Sequence, residues 1–293
     1  MTETKFQRFN WNIPRIKASL PEGEDTEELY NTFNQDIKDS YVNNLKIKVL
    51  NYDSETNSIT GSNIFAVSRL SEILREYGLR TAIPSDDRYG NISNLVKGRF
   101  YTNFNALILR TVGDSYKIND EIAKNLAEKI ENREGKLKLP LMVVAPLIRY
   151  SQDKENSYQL VFDLSDKTQI IEDERLDGKK YRTEKFNEVD DLGLPLFDRR
   201  GNRTWYARED GLVRLYLGRN LDANSDFEDL AYSSAGGLVV LVSSFAGTQN
   251  FLEDSYKQKE SELYVNKLQE ERDKQIKAIE ERYQKALKIL KGD

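Results

Sequence analysis

The chain has 293 residues, a formal net charge of −5, and neither histidine nor cysteine. Those two absences exclude the Ser-His-Asp triad, the Cys-His dyad, the usual zinc sites, thiol redox chemistry and haem held by His or Cys. The acidic balance gives no overall attraction to DNA or to an anionic membrane, while 12 Phe, 16 Tyr and 2 Trp supply large core side chains to a chain that is 32% charged.

Residues 1–40 read as an N-terminal arm followed by a helix. Phe6, Phe9 and Trp11 stand among polar residues, and Pro14 and Pro21 oppose helix. Aromatics on such an arm must bury against the body or against a neighbouring subunit. No apolar run of the signal-peptide kind occurs near Met1, so the expected location is cytoplasmic, or a virion, and not secreted. From residue 24 to 42, Leu29, Phe33, Ile37 and Tyr41 recur at four-residue spacing, a helical stripe.

Residues 41–249 read as the body, which can split into two subdomains near 135. Leu45–Tyr52 alternates as a strand does, and Ile59 starts its partner across a polar turn. Ser62 or Asn63 caps a helix whose buried stripe is Ile64, Val67, Leu70, Ile73 and Leu74. After a loop at Pro84, Arg99–Thr111 reads as a strand or hairpin arm. Ile122, Leu126 and Ile130 then mark a helix over Ile118–Asn132.

The second half reads as strand-rich. Leu137–Tyr150 pairs with Tyr158–Leu164, and Pro140 and Pro146 place part of the first strand at an edge or bulge. Two hairpins are expected: Trp205–Arg208 with Leu212–Leu217 across Glu209-Asp210-Gly211, and Leu230–Tyr232 with Leu238–Val242 across a Ser-Gly turn. Residues 165–203 read as a charged, irregular excursion. The apolar run Ala235–Gly247 is too short to span a bilayer, which takes about 20 apolar residues. The expected fold class is α+β: an antiparallel sheet core with packed helices, an extended N-terminal arm and a long C-terminal helix.

That last helix occupies residues 250–293. Neither Gly nor Pro occurs from Phe251 to Lys291. Ile276, Ile279, Tyr283, Ala286 and Leu290 fall at three-four spacing, a short coiled-coil seam able to bind a partner.

Three groups of residues bear on chemistry. Asp163 and Asp166 follow a strand and Asp190 and Asp191 sit in the excursion; carboxylates of this kind are candidate Mg²⁺ or Mn²⁺ ligands, though a solvated loop explains them as well. Basic residues interleave with aromatics at Arg99-Phe100-Tyr101, Arg199-Arg200, Arg203 with Trp205 and Tyr206, Arg208, and Arg214 with Tyr216 and Arg219. On one sheet face these could meet phosphates and stack bases; cross-strand pairing of arginine on rings is the plainer alternative. Neither G-x-G-x-x-G nor G-x-x-x-x-G-K-S/T is present, so no cofactor is expected.

Together these point away from catalysis. The expectation is a structural or assembly protein acting through protein–protein contacts, by self-association or as a subunit of a large homo-oligomer or virion, with no membrane role. The alternatives are a divalent-metal enzyme on nucleic acid or phosphate esters, and a nucleic-acid-binding module.

Overall fold

The computed structural model describes residues 50–53, 58–75, 79–113, 116–151 and 158–243. The chain divides into two units, Met1–Ser244 and Phe245–Asp293, and every described residue lies in the first. The arm with Phe6, Phe9 and Trp11, the helix over 24–42 and the C-terminal helix with its seam lie outside the described residues.

The fold is organised around β4 (Tyr101–Leu109), a nine-residue strand buried almost throughout. Nearly continuous burial requires cover on both faces, and its alternation supplies it. Odd-numbered residues face the helices. Leu107 and Leu109 join Leu141, Val143 and Leu212 in a core that also contains Phe65, Ile122 and Leu126. Even-numbered Ile108 lies between Met142 and Val213 on its two neighbouring strands, and all three are buried.

Of the three described α-helices, the first and third close the odd face. The first, α1 (Ile64–Leu74), starts at Asn63, whose Oδ1 accepts from the Ala66 amide at 2.9 Å. Its Phe65 ring stacks on Phe162 at 5.4 Å. A short second helix, α2 (Asn91–Val96), follows the 3-10 segment Pro84–Gly90. The third, α3 (Asp120–Glu134), buries Ile122, Ala123, Leu126, Ala127 and Ile130 on one stripe. It ends where Gly135 turns left-handed at φ 73° and donates its amide to Glu131 O.

Eleven strands form the main sheet. From one edge run β1 (Asn51–Asp53), β2 (Ser58–Thr60), β14 (Gly237–Leu238), β4, β12 (Leu212–Leu217), β13 (Ala223–Ser225), β11 (Arg203–Ala207), β9 (Thr183–Val189) and β10 (Pro195–Phe197). On the edge of β4 that β14 leaves free, β5 (Leu141–Val144) pairs with Ala106–Leu109, and β8 (Gln169–Glu172) pairs with β5. Two small sheets complete the body: β3 (Leu79–Thr81) with β15 (Leu241–Ser243), and β6 (Leu147–Tyr150) with β7 (Leu160–Asp163).

This overturns the expected antiparallel α+β core with packed helices. The described body is mostly β, with few helices and a mixed sheet. Two pairings are parallel, β11 with β13 and β14 with β4. Both arise where a hairpin is expected from sequence. Between β11 and β12 the Glu209-Asp210-Gly211 turn does not zip the strands together. Instead β13 wedges between them, held by Arg110, whose Nη1 and Nη2 donate to Ser225 O and Oγ at 2.9 and 2.8 Å. At the second expected hairpin, Leu230–Tyr232 is not a strand. The Gly236 carbonyl accepts from the Tyr101 amide at 2.9 Å, which sends β14 along β4 and β15 away to β3.

The expected strand Leu137–Tyr150 breaks in two at Ala145, whose left-handed φ of 55° turns β5 out of the sheet before β6 begins. The expected irregular excursion over 165–203 contains β8, β9 and β10. The helix α1, the long strand β4 and the α3 helix lie where their patterns place them, within a few residues; of the expected strand Leu45–Tyr52, residues 45–49 lie outside the described residues, and β1 overlaps the rest at Asn51 and Tyr52.

Candidate functional site: an aromatic pocket around Arg214

The odd face of β4 changes character along its length. Leu109 and Leu107 lie in the core; Asn105, Asn103 and Tyr101 follow at the same period. On β12 the same face carries Leu212, then Arg214 and Tyr216. The strands therefore lead from an apolar core into a polar recess at the end where β14 joins.

Each polar group in that recess is positioned by a neighbour. Ser68 Oγ donates to Asn105 Oδ1 at 2.7 Å, from α1. Asn103 Nδ2 donates to Ser62 O and Oγ at 2.9 and 2.8 Å, which leaves its Oδ1 facing Arg214 Nη1 at 2.6 Å. The Tyr101 hydroxyl accepts from the Ser234 amide at 3.1 Å. Gly237 makes this possible: a Cβ there would lie 2.6 Å from Tyr101 Oη and 2.7 Å from its Cζ.

Four rings surround the guanidinium. Arg214 Cζ lies 4.7 Å from the centroid of Tyr216, 5.0 Å from Phe227, 5.3 Å from Tyr232 and 6.0 Å from Tyr101. Phe227 and Tyr232 meet edge to face at 5.2 Å and stand 37% and 42% exposed. Together these groups bound a cleft of about 730 Å³, whose rim carries Arg99, Arg219, Asn220 and Asn224. That volume falls in the usual range for small-ligand sites, about 300–1,000 Å³.

Arg214 is 2% exposed, and burial holds its guanidinium below its ordinary pKa. Two other buried arginines show what full satisfaction looks like. Arg110 uses all three nitrogens, with Nε donating to Leu176 O at 2.7 Å and both Nη to Ser225. Arg203 donates from Nη2 to the buried Asp87 carboxylate at 2.7 Å and from Nε to Leu221 O at 2.7 Å. Arg214 forms no ion pair with a carboxylate among the described residues; Asp229 acts on its charge from beyond ion-pair distance, and its Nε is buried without an acceptor. Uncompensated burial of a charge is costly, so the unbonded Nε sets this arginine apart from the other two. A ring cage with a cation inside can hold planar or anionic groups at its mouth.

The sequence-derived basic–aromatic set is split by the fold. Arg99, Phe100, Tyr101, Arg214, Tyr216 and Arg219 do converge here. Arg203 does not: with Asp87 it borders a separate cleft of about 820 Å³ beside Asp190 and Leu196. Trp205 is buried, Arg208 pairs with Asp210 and Glu228, and Arg199 and Arg200 lie exposed in the β10–β11 turn. Phe227 and Tyr232 were not legible as site residues. Their one signal is that both rings fall in the polar stretch Asn220–Gly236, where core aromatics are not expected.

The candidate metal ligands are not brought together, and each of three is bound to structural partners. Asp163 accepts from Lys129 Nζ at 3.0 Å and from the Leu164 amide at 2.9 Å. Asp190 closes its turn by accepting from the Leu192 and Leu194 amides, and from Arg175 at 2.6 Å. Asp191 pairs with Arg88, and Asp166 is exposed in a turn. Among the described residues no group of three or more carboxylates is placed to hold a metal ion, and no helix is long and apolar enough to cross a membrane.

Comparison with known proteins finds no matching family model, no matching curated protein and no matching solved structure.

Proposed function

We propose that this chain is a non-enzymatic protein that acts by binding, and that the Arg214 pocket is its recognition surface. One observation carries the reading: the body buries an arginine with no carboxylate in ion-pair distance and sets two exposed rings, Phe227 and Tyr232, against it. The ring contacts and one hydrogen bond offset only part of the cost of burying that charge, which an arriving anion would complete. Crystals of the full chain soaked with a chemically mixed fragment library test this. Fragments should concentrate in the cleft against Arg214 and Tyr232. Hits scattered over the surface, with the cleft empty, would refute the reading.

Assembly through protein contacts belongs to the same proposal and rests on sequence, on the Ile276, Ile279, Tyr283, Ala286 and Leu290 seam and the Phe6, Phe9 and Trp11 arm. Light scattering on the full chain and on Ile279→Asp combined with Tyr283→Asp reads it out. An oligomer that falls to monomer in the variant supports the seam as an interface; unchanged mass removes it.

A further inference from the structure

We infer that the Arg214 pocket binds a nucleoside phosphate, with the phosphate held by arginine and the base laid against the exposed rings; this rests on the binding reading above. Two independent features lead there. The first is charge. The chain as a whole is at −5, yet the charged side chains lining this cleft are Arg99, Arg214 and Arg219, with no carboxylate among them. Three carboxylates stand in the adjoining loop and do not line it. Glu228 is taken by Arg208; Asp229 accepts from the Ala231 amide and acts on Arg214 from beyond ion-pair distance; Asp226 acts on Arg110 and Arg208 and, from the same loop, on Tyr216. A positive recess on an acidic protein selects an oxyanion from solution.

The second feature is ring surface. Guanidinium alone would serve any carboxylate or inorganic anion. Phe227 and Tyr232, however, hold aromatic area open at the mouth, edge to face, a few ångströms from the cation. Open rings beside arginine match a ligand that carries a planar ring next to its anion. A cleft of about 730 Å³ admits one such unit. Recognition here needs no glycine-rich phosphate loop, because side-chain nitrogens and rings replace the backbone amides that such a loop supplies. The nucleoside phosphate can be free or one unit of a single strand; the chemistry at the pocket is the same.

Isothermal titration calorimetry on the full-length chain separates these possibilities. The probes are adenosine monophosphate, adenosine, inorganic phosphate, a short oligodeoxythymidine and an oligoglutamate peptide. Adenosine monophosphate should bind, and adenosine and phosphate should each be at least about tenfold weaker. Tyr232→Ala and Arg219→Glu, both at exposed positions, should each weaken binding by about tenfold, so that the inference does not depend on whether an Arg214 variant folds. Tighter, steeply salt-dependent binding of the oligonucleotide assigns the ligand to a strand and upholds the inference. It is overturned if no nucleotide binds at millimolar concentration, if adenosine binds as well as its monophosphate, if oligoglutamate binds in place of nucleotides, or if both variants bind normally. Should fragments still fill the cleft in crystals, the pocket remains a binding site and the nucleotide assignment alone fails.

Discussion

Replacing Arg214 with methionine should leave the stability of this protein nearly unchanged, within about 1.5 kcal/mol either way, although the residue is fully buried. The magnitude follows from opposing terms. Losing Nη1 strips Asn103 Oδ1 of its donor, which costs about 1–3 kcal/mol. The cation's contacts with the four rings are lost as well, at roughly 0.5–2 kcal/mol. Against these stands relief from burying a guanidinium with no carboxylate within ion-pair distance and with Nε unbonded, a penalty of several kcal/mol in real proteins after relaxation. Methionine has a similar reach and adapts to irregular space, so no large cavity remains.

The same molecule supplies the control. Asp87 is 2% exposed and accepts from the Ser93 amide, from Ser93 Oγ and from Arg203 Nη2. Asp87→Ala leaves Arg203 buried and unpaired and should cost about 3–5 kcal/mol. Urea unfolding followed by circular dichroism and by tryptophan fluorescence measures both variants on one scale, and coincidence of the two probes checks that the transition is two-state. If Arg214→Met costs as much as Asp87→Ala, Arg214 holds the fold together, and its ring cage is a socket for the arginine itself. The pocket would then lose the observation that marks it as a binding site.

Gly237→Ala should destabilise by about 1–3 kcal/mol and disorder the pocket, because its Cβ would strike the Tyr101 ring and hydroxyl; a urea midpoint equal to that of the parent would refute this. Asn63→Ala removes the acceptor at the start of α1 and should cost about 1 kcal/mol in the same assay, with no effect expected at the pocket. Acid should weaken the fold through two carboxylates. Hydrogen bonding from Arg175 holds Asp173 below its ordinary range; at Asp163 burial pushes upward, but bonds from Lys129 and the Leu164 amide outweigh it. Both folded values are depressed, so their stabilisation is complete above the ordinary carboxylate range, near pH ~4, and is lost as pH falls through the lower folded values. Urea midpoints that stay flat from about pH 5 to about pH 2 would contradict that assignment.

Local pattern was enough for the elements that depend on local pattern. Asn63 and the stripe from Ile64 to Leu74 place α1, and Ile122, Leu126 and Ile130 place α3. Strand pairing was another matter. Glu209-Asp210-Gly211 carries a hairpin turn, and nothing nearby in sequence says that Arg110 will hold Ser225 between the two strands it joins. That bond spans more than a hundred residues of chain, beyond the reach of any turn rule. Ala145 breaks a strand from a left-handed conformation, which a residue with a Cβ rarely adopts and no motif announces. The site was half legible for the same reason. Arg99 with Tyr101 and Arg214 with Tyr216 stand at period two, and Arg219 follows in the turn after β12. Phe227 and Tyr232 lie on a loop without a period, and only packing brings them to the cation.

The comparison among buried arginines bears most on function. Arg110, Arg203 and Arg214 lie in one sheet system and face the same physical demand, that a buried guanidinium be satisfied. Arg110 meets it with carbonyl and hydroxyl oxygens, and in doing so positions β13. Arg203 meets it with Asp87, and so ties the Pro84–Gly90 segment to β11. In both cases the bonds made are the ones that shape the fold. Arg214 makes one side-chain bond, to an asparagine that Ser62 already holds in place, and shapes nothing beyond its own pocket. Its remaining donors face rings, and no carboxylate among the described residues comes within ion-pair distance of them. Asp229 acts on its charge without bonding it, and on the reading proposed above its unused donors are completed from outside by an anion.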